Sequence, residues 1–260
     1  MSIKIGPAGM GPVKDAEETF EEFRRLGIKA SEIPFTYGIF ITKKEIARKV
    51  GKAAEKFGIQ LSIHAPYWIN LNSAEKEKIA GSKQRILKCC EIGTYLGAKR
   101  VVFHPGYYGK KSKEETYENI KKEILELQKE IKKKKYTPKL APETTGKINV
   151  FGGISEIKKL VEETGCSFCI DFAHILARYK TYNFKRIKKE FKEFKKWHVH
   201  FSGIDYGEKG EKKHLQVSEK EFRRLLLNLP KNKEITIINE SPSPLNASLT
   251  GLKALNKLRR

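Results

Sequence analysis

The segment KRVVFHPG, residues 99–106, compresses one structural unit into a few residues. Val101, Val102 and Phe103 form a short apolar run of strand-favouring side chains. His104 closes the run, and Pro105-Gly106 turns the chain away. The same layout recurs in QLSIHAPY (60–67), PKLAPETTG (138–146), SFCIDFAH (167–174), KWHVHFSG (196–203) and EITIINES (234–241). Each run carries a histidine or a carboxylate at or just past its C-terminal end: His64, His104, Glu143, Asp171 with His174, His200, and Glu240. If the runs are parallel strands of one barrel, their C-terminal ends converge on a single mouth.

Strand-like and helix-like segments alternate from end to end, the pattern of βαβ units. Strands are expected at Ile3–Ile5, Ala30–Ile33, Gln60–His64, Arg100–His104, Lys139–Glu143, Ser167–Asp171, Trp197–Phe201 and Glu234–Asn239. The segments between them carry helix signals. Asp15 with Glu18 reads as a capping pair ahead of an apolar face of Phe20, Phe23 and Leu26, with Gly27 as the stop. Ile46, Val50, Ala53 and Phe57 repeat at helical spacing. A long helix is expected from Ala74 to Leu96, ending at Gly97. Ser112/Glu115 and Ser218/Glu221 are capping boxes before further apolar faces. Eight strands, each followed by a helix, is the count of a (β/α)8 TIM barrel, and 260 residues suit one such domain over 1–260.

Composition narrows the partners. The chain holds 53 Lys+Arg against 31 Asp+Glu, a net charge of +22, which draws polyanions such as nucleic acid. Lysine-rich helix faces such as KKEILELQKEIKKKK are also ordinary solvated surface, and abundant Lys and Glu suit proteins of hot habitats. Charge by itself leaves both readings open. No apolar run approaches the roughly 20 residues of a membrane span, and MSIKIGPAGMG lacks a signal-peptide core. A soluble, cytoplasmic monomer is the expectation. Cys89, Cys90, Cys166 and Cys169 read as buried reduced thiols, because Cys166-x-x-Cys169 has no second pair to complete a zinc site.

Imidazole and carboxylate are the donors that a borderline cation such as Zn²⁺ takes. One histidine at a strand end is more often a hydrogen-bonded core residue than a ligand. Here all but His198 of the six histidines lie at strand ends or in the loops after them. Glu143 and Asp171 stand in apolar surroundings, where an ionised carboxylate needs a partner. His198 shares the face of His200 two residues deeper, and reads as a core residue supporting the site.

In order, the segments His64-Ala65-Pro66-Tyr67, Phe103-His104-Pro105-Gly106, Pro142-Glu143-Thr144-Thr145-Gly146, Ile170-Asp171-Phe172-Ala173-His174, His200-Phe201-Ser202-Gly203 and Asn239-Glu240-Ser241 resemble endonuclease IV, the apurinic/apyrimidinic (AP) endonucleases of the xylose-isomerase-like barrels. The resemblance covers nearly the whole chain. It implies three metal ions, Zn²⁺ with Mn²⁺ possible in part. His64, His104 and Glu143 would hold the first. Glu143 would bridge to a second, completed by Asp171, His200 and Glu240. His174 and His214 would hold the third. In the family an Asp two residues before the last His completes that set; here the position is Lys212, and Glu211 is the substitute.

The resemblance further implies hydrolysis 5′ to an abasic site in double-stranded DNA, leaving a 3′-hydroxyl and a 5′-deoxyribose phosphate, with Glu143 as the catalytic bridge. Tyr67 matches a position near the lesion. The family's Arg in the loop after the second strand is missing from Phe35-Thr36-Tyr37-Gly38-Ile39, so Tyr37 is either its stacking replacement or a rim-packing residue. Two competing readings remain. Glu143, Asp171, His200 and Glu240 alone resemble the single-metal site of a sugar isomerase or epimerase of the same superfamily. A non-catalytic nucleic-acid-binding barrel is the other.

Overall fold

The strand-like runs are extended in the computed structural model, which describes residues 2–259. In chain order the strands are β1 (Ser2–Pro7), β2 (Ala30–Pro34), β3 (Gln60–His64), β4 (Arg100–Phe103), β5 (Lys139–Pro142), β6 (Ile170–Asp171), β7 (Lys196–Phe201), β8 (Gly203–Gly207), β9 (Gly210–Leu215) and β10 (Glu234–Asn239). The α-helices are α1 (Ala16–Arg25), α2 (Lys44–Phe57), α3 (Lys76–Leu96), α4 (Lys113–Lys133), α5 (Ile154–Thr164), α6 (Phe172–Tyr179), α7 (Phe184–Glu190), α8 (Glu219–Asn228) and α9 (Pro244–Arg259).

β2-β3-β4-β5 pair in parallel in that order, and β1-β10-β7-β6 form a second parallel set. Two seams join the sets into a closed TIM barrel. At one, Gly9 N donates to Glu32 O at 2.8 Å and Lys29 N to Ile5 O at 3.1 Å. At the other, Cys169 N donates to Pro142 O at 3.1 Å and Thr144 N to Cys169 O at 3.1 Å. Closure leaves no open strand edge in the barrel. The first seam needs a glycine: a Cβ on Gly6 would stand 1.6 Å from Ala30 O.

Alternation along the strands separates two interiors. Ile63, Val101, Phe103, Ile170, Val199 and Ile237 point outward into the main apolar core shared with the helices. Val102, Ala141 and Cys169 form a small separate cluster. They face the bore, where buried Glu32, Ser62 and His198 also lie. Such bores are usually filled by branched apolar side chains, so this one is unusually polar.

Several local expectations are refined. α3 stops at Gly97, whose φ of 68° is the left-handed conformation that glycine supplies without strain. Ser112 Oγ accepts from Glu115 N at 3.0 Å, and Ser218/Glu221 form a reciprocal box. Asp15 makes no side-chain cap, because at φ −100°, ψ 15° it is the last residue of a short 3-10 turn and is not extended. Leu26 and Ile46 stand at helix ends and are exposed rather than part of an apolar face. The hairpin β8–β9, inserted between β7 and α8, has no counterpart among the expected elements. Among the described residues no helix is long and apolar enough to cross a membrane.

Candidate metal centre

The barrel's parallel direction carries every strand-end donor to one mouth. Three groups of His and carboxylate donors form there, each with its ligand atoms mutually within 4.8 Å: His64–His104–Glu143, Glu143–Asp171–His200–Glu240, and His174–Glu211–His214. The first group comes from the ends of three adjacent strands, β3, β4 and β5. The second draws on β5, β6, β7 and the end of β10.

Glu143 stands between the groups. Its Oε2 lies 3.2 Å from His64 Nε2 and 3.1 Å from His104 Nε2. Its Oε1 lies 2.9 Å from His200 Nδ1 and 3.6 Å from His174 Nδ1. Glu240 Oε1 is 3.4 Å from the same His200 nitrogen. Asp171 is both the last residue of β6 and the N-cap of α6, and its Oδ1 accepts from His174 N at 2.6 Å. That cap sets the first turn of α6 so that His174 returns over the mouth. His174 Nδ1 is held by Thr144 O at 3.0 Å, leaving Nε2 3.4 Å from Glu211 Oε2.

The hairpin explains the substitution of Glu211 for the residue two before His214. Pairing runs Ile204↔His214 and Asp205↔Lys213, then shifts by one to Tyr206↔Glu211. Lys212 is therefore the extra residue of a β-bulge. In a regular strand Glu211 and His214, three apart, would face opposite sides of β9. The bulge restores them to one side. Glu211 N also donates to Gly146 O at 3.3 Å, which ties the hairpin to the loop after β5.

The electrostatics suit cations. Burial and the charges of Glu143 and Glu240 push Asp171 up to about 8, and its Oδ2 is buried with no hydrogen-bond partner. Burial works to lower the His64 pKa, but Glu143's hydrogen bond and charge outweigh it and raise the group to about 9. Burial works to raise Glu240, but the charge and hydrogen bond of His200 hold it down at about 2. So many carboxylates in one buried place need positive charge, supplied here by protons on imidazoles and on Asp171. Divalent cations supply it equally well, and the orphaned Asp171 oxygen fits that role.

Above the donors lies a cavity of ≈ 290 Å³ whose walls include Tyr67, Tyr107, Lys147 and Val150. A second cavity shares His64, Tyr67, His214 and Glu240 with it, so the depression continues across the mouth. Tyr67 sits 5.5 Å from the His64 ring and 5.8 Å from Tyr37, centroid to centroid. Tyr37 is 85% exposed. Trp68 and Tyr107, also exposed, and Lys147 at the cavity wall carry no mark in the sequence. Nor does Glu32, fully buried below His200, whose Oε1 is 2.9 Å from His200 Nε2. No local signal singles out these positions, because each depends on neighbours from distant strands or loops.

The profile of the family described as xylose isomerase-like TIM barrel matches residues 20–257. MJ0133, an uncharacterized protein of Methanocaldococcus jannaschii, is 38% identical over 271 residues, covering 98% of this chain and 97% of its own. A probable endonuclease 4 of Mycobacterium leprae is 28% identical over 116 residues, spanning 44% of this chain and 45% of that one. The solved structure of SacUVDE superposes with a TM-score of 0.74 at 19% identity, over 95% of this chain and 86% of the other. Endonuclease IV of Thermus thermophilus gives 0.69 at 20% identity, over 99% and 100%. D-Psicose 3-epimerase gives 0.68 at 14%, over 100% and 98%. At such identities the likeness to solved structures concerns the fold alone, and enzymes of different reaction classes share it. Because the family model matches residues 20–257, the chain belongs to the xylose isomerase-like TIM-barrel family.

Proposed function

We propose that the protein is a metal-dependent AP endonuclease, hydrolysing the phosphodiester 5′ to an abasic site in double-stranded DNA. The observation that carries this reading is Glu143, whose two oxygens face two different donor sets, with a third set adjoining. A single-metal enzyme has no use for His64, His104, His174 and His214 at the same mouth. In this reading His64, His104 and Glu143 hold one cation, and Glu143, Asp171, His200 and Glu240 a second. His174, Glu211 and His214 hold a third, with Zn²⁺ the best match to the donors. When bound, these cations supply Lewis acidity toward the phosphodiester and ease deprotonation of water.

The chain's own residues do the rest. Glu143 keeps the donor sets in register and offsets their charge. Tyr67, half-exposed beside His64, meets the lesion, and Tyr37 stacks next to it. Exposed Lys147 at the cavity wall, with Lys209, Lys212 and Lys213 on the hairpin, meets the phosphate charge. Water adds to phosphorus and the bond to the 3′-oxygen of the preceding nucleotide breaks. That oxygen takes a proton to become the 3′-hydroxyl, and the phosphate stays on the abasic sugar. The chain acts as one domain, as a cytoplasmic monomer, in base-excision repair.

The test is a duplex with one abasic analogue, incubated with metal-loaded protein with and without chelator. Cleavage at the analogue that chelator abolishes supports the reading. A second reading, a sugar isomerase or epimerase, draws on the completeness of the Glu143–Asp171–His200–Glu240 set by itself. It requires one metal per chain where the nuclease requires two or three, so a metal count separates them. Salt-sensitive DNA binding with no cleavage would leave a non-catalytic binding barrel.

A further inference from the structure

Directly beneath the donors, the bore holds a carboxylate where an apolar side chain is usual. Glu32 is wholly buried. An unpaired ionised carboxylate there would cost several kcal/mol. Its Oε2 is engaged twice, accepting from Ser62 Oγ at 2.7 Å and from His198 Nε2 at 2.9 Å. These bonds come from β3 and β7, on either side of the barrel axis, and fix the carboxylate's orientation. Its Oε1 remains, 2.9 Å from His200 Nε2 but not aligned for a hydrogen bond, so both buried atoms lack a partner. The other nitrogen of that ring, Nδ1, faces Glu143 Oε1 at 2.9 Å and Glu240 Oε1 at 3.4 Å.

We propose that Glu32 is a positioning residue. Held by Ser62 and His198, it is placed to accept the Nε2 proton of His200 when a cation draws the ring into line, and so to aim the Nδ1 lone pair at the Glu143–Asp171–Glu240 set. This inference rests on the reading of that set as a metal site. A carboxylate behind a ligating imidazole fixes ring angle and tautomer and makes the nitrogen a better donor. Ser62 and His198 hold the carboxylate, and Glu32 holds the ligand. Cys169, His198 and His200 also bring donor atoms within 4.8 Å of one another in the bore. A cation there would need both nitrogens of His200 at once, as a bridging imidazolate, whereas donation from Nε2 to Glu32 needs only a neutral ring.

The test uses the full chain stripped of metal and titrated with Zn²⁺ by calorimetry and with Co²⁺ by visible absorption. Wild type is compared with Glu32→Ala, Glu32→Gln and Ser62→Ala. In Glu32→Ala one metal equivalent should weaken by about 10–100-fold, and its Co²⁺ bands should shift, while the remaining equivalents keep their affinity. Glu32→Gln retains an acceptor for His200 and should fall between Ala and wild type; it also serves if the Ala variant does not fold. Ser62→Ala should weaken the same equivalent by a smaller factor. A folded Glu32→Ala or Glu32→Gln protein with every equivalent at wild-type affinity and unchanged bands would overturn the role of Glu32 alone. So would an even loss across all equivalents that tracks a lower Tm, which is a purely structural effect. Loss of one whole equivalent in Cys169→Ser would also overturn it, by making Nε2 a ligand. Wild type binding neither Zn²⁺ nor Co²⁺ would instead sink the metal-site reading, and this inference with it.

Discussion

The His64–His104–Glu143 group and the His174–Glu211–His214 group lie side by side at the same mouth but are built differently. The first sits on three adjacent parallel strands whose hydrogen-bonded ladder fixes each side chain's face and height. The second joins the first turn of a helix to an antiparallel hairpin outside the barrel ladder, and depends on a bulge at Lys212. Donors on the ladder inherit their geometry from barrel closure. Donors on the hairpin inherit it from local register, which one residue can change. The contrast predicts unequal tolerance to substitution.

The largest effect should come from the bridge. Glu143→Gln should lower cleavage by on the order of 10³-fold or more, with circular dichroism and Tm close to wild type. A neutral amide cannot balance two cations. Near-normal turnover at unchanged metal content would refute the bridging role. Deleting Lys212 removes the bulge and leaves Glu211 and His214 two apart, on one face of an unbulged β9. Glu211→Ala should weaken a single metal equivalent by roughly 10–100-fold, whereas the deletion should keep it, and the ladder equivalents should hold in both. If the deletion variant lost that equivalent, the register account of the hairpin would fail.

The two regions also differ in charge. Exposed Lys209, Lys212 and Lys213 belong to the hairpin. Affinity of the wild type for abasic duplex should fall by about 10³-fold from low to moderate salt if six or more phosphates are met. Alanine at these three lysines should flatten that log–log slope by up to about 3, roughly one for each phosphate left unneutralised. An unchanged slope would place the DNA elsewhere on the surface.

pH should separate the ladder sets further. Without metal, His64 keeps its proton to about pH 9 and Asp171 to about pH 8. A cation must displace those protons, so affinity at these sets should rise with pH up to about 9. The slope should be about tenfold per pH unit per proton released. Calorimetry in buffers of different ionisation enthalpy would count the protons, and none released at pH 7 would contradict the sign. The smallest effect is at the rim. Tyr37→Ala with Tyr67→Ala should reduce preference for abasic over intact duplex by roughly 10-fold, of the order of one stacking interaction, at unchanged metal content.

The barrel was legible because its signals are local. Runs such as Val101-Val102-Phe103 ended by a turn mark strands, and Gly97 and Ser218/Glu221 mark helix ends. Strand-end placement of His64, His104, Glu143, Asp171, His200 and Glu240 was equally visible, and parallel strands leave such residues little choice but to meet. What no local pattern carries is contact between distant strands or a shift of register. Glu32, in Ala-Ser-Glu-Ile-Pro, looks like a solvent-facing strand residue until Ser62 and His198 reach it from β3 and β7. Nor does a run of charged residues ending at Leu215 announce a hairpin with a bulge. By itself, the chain of residues determined the barrel, the direction of its strands and the kinds of donor atom at its mouth, because periodicity and turn chemistry act within a few residues. Only the closed tertiary structure decided that Glu143 faces two donor sets, that Glu211 and not Lys212 turns toward His174, and that Glu32 stands behind His200. Those outcomes depend on ring closure and register, which are properties of strand pairs and not of any one strand.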